Sequence, residues 1–243
     1  MDDSYKVGLS QTISAWWRQN LAQRGFGATL QRIVVELWGF LRDSTPEQRR
    51  RRYGDVEFDW DHRVDTTSAT VGWQERLLGV FHSPYQPTDP ALFHEMLGGL
   101  KIKFSDFTFI DLGSGKGRTL LMASDYPFRR IVGVELLPQL NNVARENLRK
   151  YRSEKQKCFA LGSICGDAQE FEFPAEATVL YLFNPLPEAG LERVIAKLER
   201  SLAEHPRKLI VLYHNPLHDE ILASSASLAR AAGTHQYVVY ESR

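Results

Sequence analysis

Short apolar runs alternate with amphipathic stretches from about residue 106 to residue 243, and this alternation constrains the fold more than any other feature. Strands are predicted where β-branched and aromatic residues cluster, and helices where apolar residues recur every three or four positions. The predicted strands are Phe107–Asp111, Arg130–Glu135, Phe159–Ile164, Thr178–Phe183 and Lys208–Tyr213, and a closing hairpin surrounds Gly233. The predicted helices are Lys116–Ser124, Pro138–Tyr151, Glu188–Glu204 and a short one from Asp219. Apolar strands separated by helices predict an α/β fold with a doubly wound, mostly parallel sheet.

The first 80 residues lack this alternation and are predicted to form a helical extension. One apolar helix face spans about 28–42, and a shorter helix precedes it. Both helices are expected either to pack on the main domain or to form a lid or dimer contact. Val56, Phe58 and Trp60 alternate with acidic residues, so an extended segment is predicted at 55–65. The predicted domains are therefore 1–80, for substrate recognition or as a lid, and 81–243.

Composition excludes several classes of protein. The chain has 43% hydrophobic residues, with 30 basic and 30 acidic side chains, which is typical of a globular protein and not of a disordered one. A net charge of zero gives no overall positive potential for binding duplex nucleic acid, so no nucleic-acid partner is expected. It does not exclude a local patch of basic residues. Two cysteines without zinc spacing predict no metal site and a cytoplasmic location. No signal peptide or membrane span is expected, and the oligomeric state is left open.

The chemistry is expected just after the strands, because parallel sheets bind ligands at the carboxyl ends of their strands. The first strand ends in Asp-Leu-Gly-Ser-Gly-Lys-Gly-Arg, residues 111–118. Glycines allow a sharp turn and a close ligand approach, and the helix that follows offers free N–H groups. A Walker A loop fails, because Ile110 holds its first glycine position and Gly117 follows Lys116. A dinucleotide fingerprint is weakened, because the third glycine comes one residue early.

Polar residues follow the next strands as well. Glu135 ends the second strand, where a carboxylate can accept hydrogen bonds from both ribose hydroxyls of a nucleoside. A nicotinamide enzyme would need the same carboxylate, so Glu135 alone does not discriminate between enzyme classes. Asp167 follows the third strand, and Asn184 with Pro185 follows the fourth. An Asn side chain and a carbonyl before proline can accept hydrogen bonds from an amine and orient its lone pair.

The series Asp111, Gly113, Gly115 and Gly117 resembles the first motif of class I S-adenosylmethionine-dependent methyltransferases. Together with the Gly-Val-Glu-Leu sequence that ends at Leu136, it is most similar to bacterial Dot1-like and other lysine-methyltransferase-type members. The resemblance implies a seven-strand, Rossmann-like fold and S-adenosyl-L-methionine as cofactor. It also implies a methyl acceptor as partner: a protein lysine, a peptide or a small amine.

The resemblance further implies the residues that bind the cofactor. Tyr85 and Thr88, in a Tyr-x-Pro-Thr segment, would line its methionine end, and Asp167 would contact the adenine amino group. The full implied set is Tyr85, Thr88, Asp111, Gly113, Ser114, Gly115, Gly117, Arg118, Glu135, Leu136, Asp167, Ala168 and Asn184. The amine and amide methylators carry Asn/Asp-Pro-Pro-aromatic where this chain has Asn-Pro-Leu-Pro, so Asn184 is the expected catalytic residue. A general base would come from His82, His214 or Asn215.

Three other functions stay open at this point. The first is methylation of a small-molecule hydroxyl. The second is a nicotinamide-dependent oxidoreductase, which would share Glu135 but would prefer glycine at position 118. The third is a protein that binds the cofactor without catalysis.

Overall fold

The computed structural model describes residues 56–67 and 87–243, which all lie within the compact unit Asp55–Arg243. The helices expected near 13–21 and 28–42, and the residues Tyr85 and His82, lie outside the described residues. The division of the chain at residue 80 stays a prediction. No helix in the described ranges has the length and apolarity needed to cross a membrane.

The described residues form one seven-stranded sheet, as predicted. Its strands are β1 Thr108–Leu112, β2 Arg130–Glu135, β3 Leu161–Cys165, β4 Thr178–Leu182, β5 Leu209–His214, β6 Leu228–Gly233 and β7 Tyr237–Ser242. Their order across the sheet is β3-β2-β1-β4-β5-β7-β6. The first five strands are parallel, and β7 runs antiparallel to both β5 and β6. The carboxyl ends of β1 to β5 therefore share one edge of the sheet.

Helices cover both faces of this sheet. They are α1 Val56–His62, α2 Pro90–Gly98, α3 Arg118–Ala123, α4 Pro138–Lys150, α5 Glu188–Glu204 and α6 Asp219–Ala223, with 3₁₀ turns at Phe104–Asp106 and Ala168–Glu170. Alternate residues of each central strand enter different cores. In β1, Ile110 packs in the cluster that includes α5, whereas Phe109 packs in the cluster that includes α2 and α3. Every residue of β1, β4 and β5 is buried, which explains their continuous apolar runs.

The prediction of an extended segment at 55–65 is wrong, because Val56–His62 is a helix. Acidic residues in its first turn and His62 in its last turn suit the helix dipole. The alternation of Phe58 and Trp60 does not mark one buried side. Phe58 packs against the core cluster that includes α2 and α3, whereas Trp60 is 79% exposed.

Candidate active site

The loop between β1 and α3 depends on its glycines. Gly113, Gly115 and Gly117 have φ angles of +87°, +53° and +82°, a region that other residues rarely adopt. A Cβ on Gly113 would lie 2.6 Å from Cβ of Pro185, in the turn after β4. The loop therefore lies directly against the turn where the sequence predicts the chemistry.

The same loop is fastened to β2. The backbone N–H groups of Gly113 and Ser114 both donate to the carbonyl of Val134, at 2.8 and 3.0 Å. Ser114 is buried, and its Oγ has no hydrogen-bond partner among the described residues. That Oγ lies 2.5 Å from the point that a Cβ on Gly133 would occupy. Glycine at position 133 therefore makes room for the loop.

Glu135 connects the end of β2 to the glycine loop. Its Oε2 accepts a hydrogen bond from the Gly115 N–H at 2.8 Å, and its Oε1 accepts one from the Leu137 N–H at 2.9 Å. Burial raises the pKa of this carboxyl, and these backbone donors oppose the rise. A carboxylate offers about four acceptor positions. Two bonds thus leave capacity for the hydroxyls of a ribose.

Asp111 lies fully buried at the start of the loop and accepts a hydrogen bond from the Thr119 hydroxyl. Burial and, to a smaller extent, the nearby Glu135 carboxylate raise its pKa from 3.8 to about 7, although the hydrogen bond from Thr119 opposes the rise. Two acidic groups thus lie beside the loop in a region of low dielectric. A cationic ligand would stabilise their ionised forms, and S-adenosylmethionine carries a sulfonium and an ammonium group.

The tips of β2 and β3 combine exposed apolar side chains with one acid. Leu136 is 41% exposed and Ile164 is 48% exposed, which is unusual for large aliphatic residues beside a core. Ala168, three residues after the end of β3, is buried, and a Cβ on Gly166 would meet nothing within 4 Å. Open space bordered by aliphatic surface suits a flat aromatic ring.

Asp167 lies at the same tip and caps the 3₁₀ turn that follows. Its Oδ1 accepts from the Gln169 backbone N–H at 2.9 Å. The Gln169 side-chain amide lies 3.3 Å from both carboxylate oxygens. Asp167 thus has a local structural role, and the bonds to its half-buried carboxylate leave acceptor positions for an amino group.

Asn184 lies buried after β4 in the left-handed conformation, with φ +44°. Its Oδ1 accepts from the Tyr213 hydroxyl at 2.9 Å, and its Nδ2 donates to the carbonyl of Asn215 at 2.5 Å. Asn215 follows β5 and is also left-handed, with φ +48°, and its exposed side chain precedes Pro216. The amide of Asn184 therefore ties together two Asn-Pro turns.

A buried chain of polar groups leads from Thr88 to the end of β5. The Thr88 and Tyr181 hydroxyls are 2.9 Å apart, and the Tyr181 hydroxyl lies 2.8 Å from Nδ1 of His214. The His214 ring stacks on Phe183, with centroids 3.9 Å apart. Burial lowers the pKa of His214 to about 4, so the imidazole is neutral at physiological pH. Sequence patterns missed Tyr181, because a tyrosine within an apolar strand resembles any core residue.

The segment after α1 packs on the start of α3, which the sequence did not predict. Arg118, only 2% exposed, donates from Nε to the Thr66 hydroxyl at 2.7 Å and from Nη2 to the Thr67 hydroxyl at 2.9 Å. Asp59 lies 3.7 Å from the guanidinium, and the ring of Phe58 lies 5.1 Å from it. The predicted cofactor residue Arg118 thus holds the 56–67 segment with its side chain.

A second contact strengthens this attachment. Lys116, buried within the glycine loop, lies with Nζ 2.6 Å from the Asp65 carboxylate. The Asn147 amide donates to the carbonyls of Asp65 and Lys116 at 2.8 and 3.0 Å, and its oxygen accepts from the Asp65 N–H at 3.0 Å. The loop is therefore held from three sides: β2, α4 and the 56–67 segment.

The predicted residues after the strands come together at one edge of the sheet. Thr88 joins them through Tyr181, and Tyr85 lies outside the described residues. No group of three or more His, Cys, Asp or Glu side chains able to hold a metal occurs in the described ranges. A tight glycine turn, a carboxylate for a ribose, buried acids for a cation and an open aliphatic tip for adenine together fit S-adenosylmethionine.

This fold and this site define a class I, S-adenosylmethionine-dependent methyltransferase. Residues 82–182 match the model of a family described as "Histone methylation protein DOT1". The matched region runs through the glycine loop and Glu135 to the end of β4. No curated protein matches the sequence.

Many solved structures are also similar. An RNA methyltransferase from Salinibacter ruber, solved with S-adenosyl-L-homocysteine, is 25% identical, with 64% of this chain and 92% of that chain covered and a TM-score of 0.44. A precorrin-6y C5,15-methyltransferase from Geobacter metallireducens is 18% identical, with coverage of 66% and 92% and a TM-score of 0.47. A geranyl diphosphate C-methyltransferase from Streptomyces coelicolor A3(2) is 14% identical, with coverage of 63% and 77% and a TM-score of 0.46.

Proposed function

We propose that this methyltransferase modifies an amine nitrogen of a protein, a peptide or a small molecule in the cytoplasm. The observation that carries the proposal is the pair of Asn-Pro turns tied together by the Asn184 amide, next to the neutral ring of His214. This region is rich in hydrogen-bond acceptors and lacks a strong base among the described residues. An amine suits it, because a neutral amine already carries the lone pair that attacks.

The bound cofactor would supply an activated methyl group on its sulfonium. The residues of the chain then need to hold the nucleophile in line with it and exclude water. We assign the ribose hydroxyls to Glu135, the methionine tail to the glycine loop with Thr88, and adenine to the tip formed by Leu136, Asp167 and Ala168. The buried position of Asp111 suits the positive charge of that tail.

We assign the orientation of the acceptor to the turn that begins at Asn184. Its Oδ1 accepts from Tyr213 and lies 3.5 Å from the backbone nitrogen of Leu217, so the amide chiefly fixes the turn. The carbonyl of Asn184 precedes Pro185, which has no N–H to offer. Acceptor oxygens on this turn can take hydrogen bonds from an amine and direct its lone pair. Asn184 thus positions the reaction through the shape of the turn.

Methylation of a hydroxyl is the second candidate, and His214 would be its base. A hydroxyl loses its proton in the transfer, so a base with a pKa near the working pH is most effective. Burial lowers the pKa of His214 to about 4, which makes its imidazole a weak acceptor of protons. This difference favours an amine over a hydroxyl.

The test uses the full chain, methyl-labelled S-adenosylmethionine and a lysate divided into protein and small-molecule fractions. The proposal predicts label in methylated amines after acid hydrolysis. Label in methyl ethers would favour the second candidate. Calorimetry with S-adenosylhomocysteine and with NAD tests the cofactor itself. Binding of the first ligand without transfer to any fraction would support a non-catalytic protein, and binding of NAD alone would support an oxidoreductase.

A further inference from the structure

A groove of about 910 Å³ lies at the edge of the sheet, away from the carboxyl ends of the strands. The second half of α4 and the chain that follows it form one wall, and the edge strand β3 forms the other. Arg145, Arg149 and Arg152 line the first wall, and Gly162 and Ser163 lie on the second. Within the described residues, β3 pairs with β2 alone, so its outer edge borders the groove.

This groove carries a local positive charge in a chain whose net charge is zero. Its lining contains three arginines and one acid, Glu146, a net charge of +2. The surrounding segment 145–157 contains six basic and two acidic side chains, a net charge of +4. One of the acids, Glu146, lies 2.5 Å from Lys150 in an ion pair. Arg145 and Arg149 are exposed and four residues apart, so they lie on the same side of the helix. The groove therefore favours a ligand that carries negative charge.

An exposed aromatic ring lies in the same groove. Phe159 lines it and is 77% exposed, the largest exposure of any phenylalanine in the described ranges. Proteins that bind single-stranded nucleic acids combine aromatic rings, on which the bases stack, with positively charged groups that contact the phosphates. The ring of Phe159 and the neighbouring guanidinium groups form such a combination. Arg152 supports the wall, since its Nη1 donates to the carbonyls of Arg149 and Tyr151 at 2.9 and 2.5 Å.

We propose that this groove binds single-stranded nucleic acid, with phosphates on Arg145 and Arg149 and a base stacked on Phe159. An acidic peptide added to the edge of β3 would use the same positive charge but would leave the ring of Phe159 without a partner. The groove is thus a local basic patch of the kind that a net charge of zero does not exclude. The proposal concerns binding and does not depend on which acceptor is methylated.

The test measures fluorescence anisotropy of a labelled oligouridine with the full chain over a range of salt concentrations. Each phosphate contact on a single strand contributes about 0.7 to the slope of log K against log salt. The double variant Arg145→Gln/Arg149→Gln should therefore lower that slope by about 1.4. Phe159→Ala should weaken binding about 5- to 150-fold at fixed salt and leave the slope unchanged, because it removes stacking and no charge.

The matched control is Arg200→Gln/Lys208→Gln, which removes two exposed positive charges near the end of α5 and the start of β5. Three strands separate β5 from β3, so neither charge borders the groove. The control should bind like the unchanged protein. The arginines at 49–52 lie outside the described residues, so the difference between the variants carries the test. The proposal is overturned if the oligouridine does not bind, or if both double variants lose affinity equally. It is also overturned if Phe159→Ala has no effect while an acidic peptide binds as tightly as the oligouridine.

Discussion

Replacing Glu135 by Gln tests the cofactor site most directly, because the structure defines what both carboxylate oxygens do. One accepts from Gly115 at 2.8 Å and the other from Leu137 at 2.9 Å. Glutamine has one carbonyl oxygen, so its NH₂ group must face one of these two N–H donors. The variant Glu135→Gln therefore leaves a backbone N–H without its acceptor and removes the negative charge at the position that we propose for the ribose.

The expected losses follow from these contacts. A buried donor left unpaired costs about 1–3 kcal/mol, so the free energy of unfolding of Glu135→Gln should fall by about that amount. A hydrogen bond to a charged group contributes about 1.5–3 kcal/mol. The Kd for S-adenosylhomocysteine should then rise about 10- to 150-fold, since about 1.4 kcal/mol corresponds to a factor of ten.

Calorimetry with S-adenosylhomocysteine and denaturant unfolding measure the two effects separately. Both measurements should be made at mildly alkaline pH. Burial raises the pKa of Glu135, and its carboxyl must be ionised in the unchanged protein for the comparison to hold. Asp167→Asn is the matched control. Asparagine keeps an oxygen for the Gln169 N–H, so this variant should keep its stability and lose less affinity. An affinity of Glu135→Gln within twofold of the unchanged protein would refute the assignment of the ribose to this carboxylate.

Three further predictions follow from the same edge of the sheet. Gly113→Ala places a Cβ 2.6 Å from Cβ of Pro185 at a φ of +87°, so the free energy of unfolding should fall by about 2–4 kcal/mol. The control is Gly98→Ala, because a Cβ on Gly98 would meet nothing within 4 Å. Equal unfolding midpoints of the two variants would contradict the prediction. Asn184→Ala should reduce turnover far more than affinity for S-adenosylhomocysteine. Asn184→Gly tolerates the positive φ and therefore separates the loss of the amide from backbone strain. Equal losses of turnover and affinity would contradict the positioning role of Asn184. Burial raises the pKa of Asp111 from 3.8 to about 7, so the folded state binds more protons than the unfolded state in that range, and stability should fall as pH rises through it. Asp111→Asn should flatten this pH dependence in thermal unfolding, and an unchanged profile would show that Asp111 is not its source.

Sequence patterns predict the fold well where a segment contains its own reason to fold. The strand Arg130–Glu135 and the helix Glu188–Glu204 have the bounds expected from their apolar spacing. The segment 55–65 was mispredicted, because its structure depends on residues far away in sequence. Asp59 accepts hydrogen bonds from Thr66 and Thr67, which in turn bind Arg118. No local pattern reports a contact across more than fifty residues.

The same limit applies to the candidate site. The glycines and Glu135 could be predicted, because a turn motif and a strand end are properties of adjacent residues. The bond between Tyr213 and Asn184 could not, because it depends on β5 lying beside β4 with a given register. The contact between Tyr181 and His214 has the same cause. Sequence alone thus predicts which residues reach the edge of the sheet. The register of the strands decides which of these side chains form hydrogen bonds with each other.

The attachment of residues 56–67 has a practical consequence for shortened forms of this protein. A fragment that starts at residue 81 would remove Asp59, Asp65, Thr66 and Thr67, and with them four side-chain partners of two buried cations on the glycine loop. Water entering there would loosen the glycine turn, which we propose as part of the cofactor site. Fragments intended for crystallisation or ligand screening should therefore begin no later than Asp55, even though the recognisable motif begins far downstream.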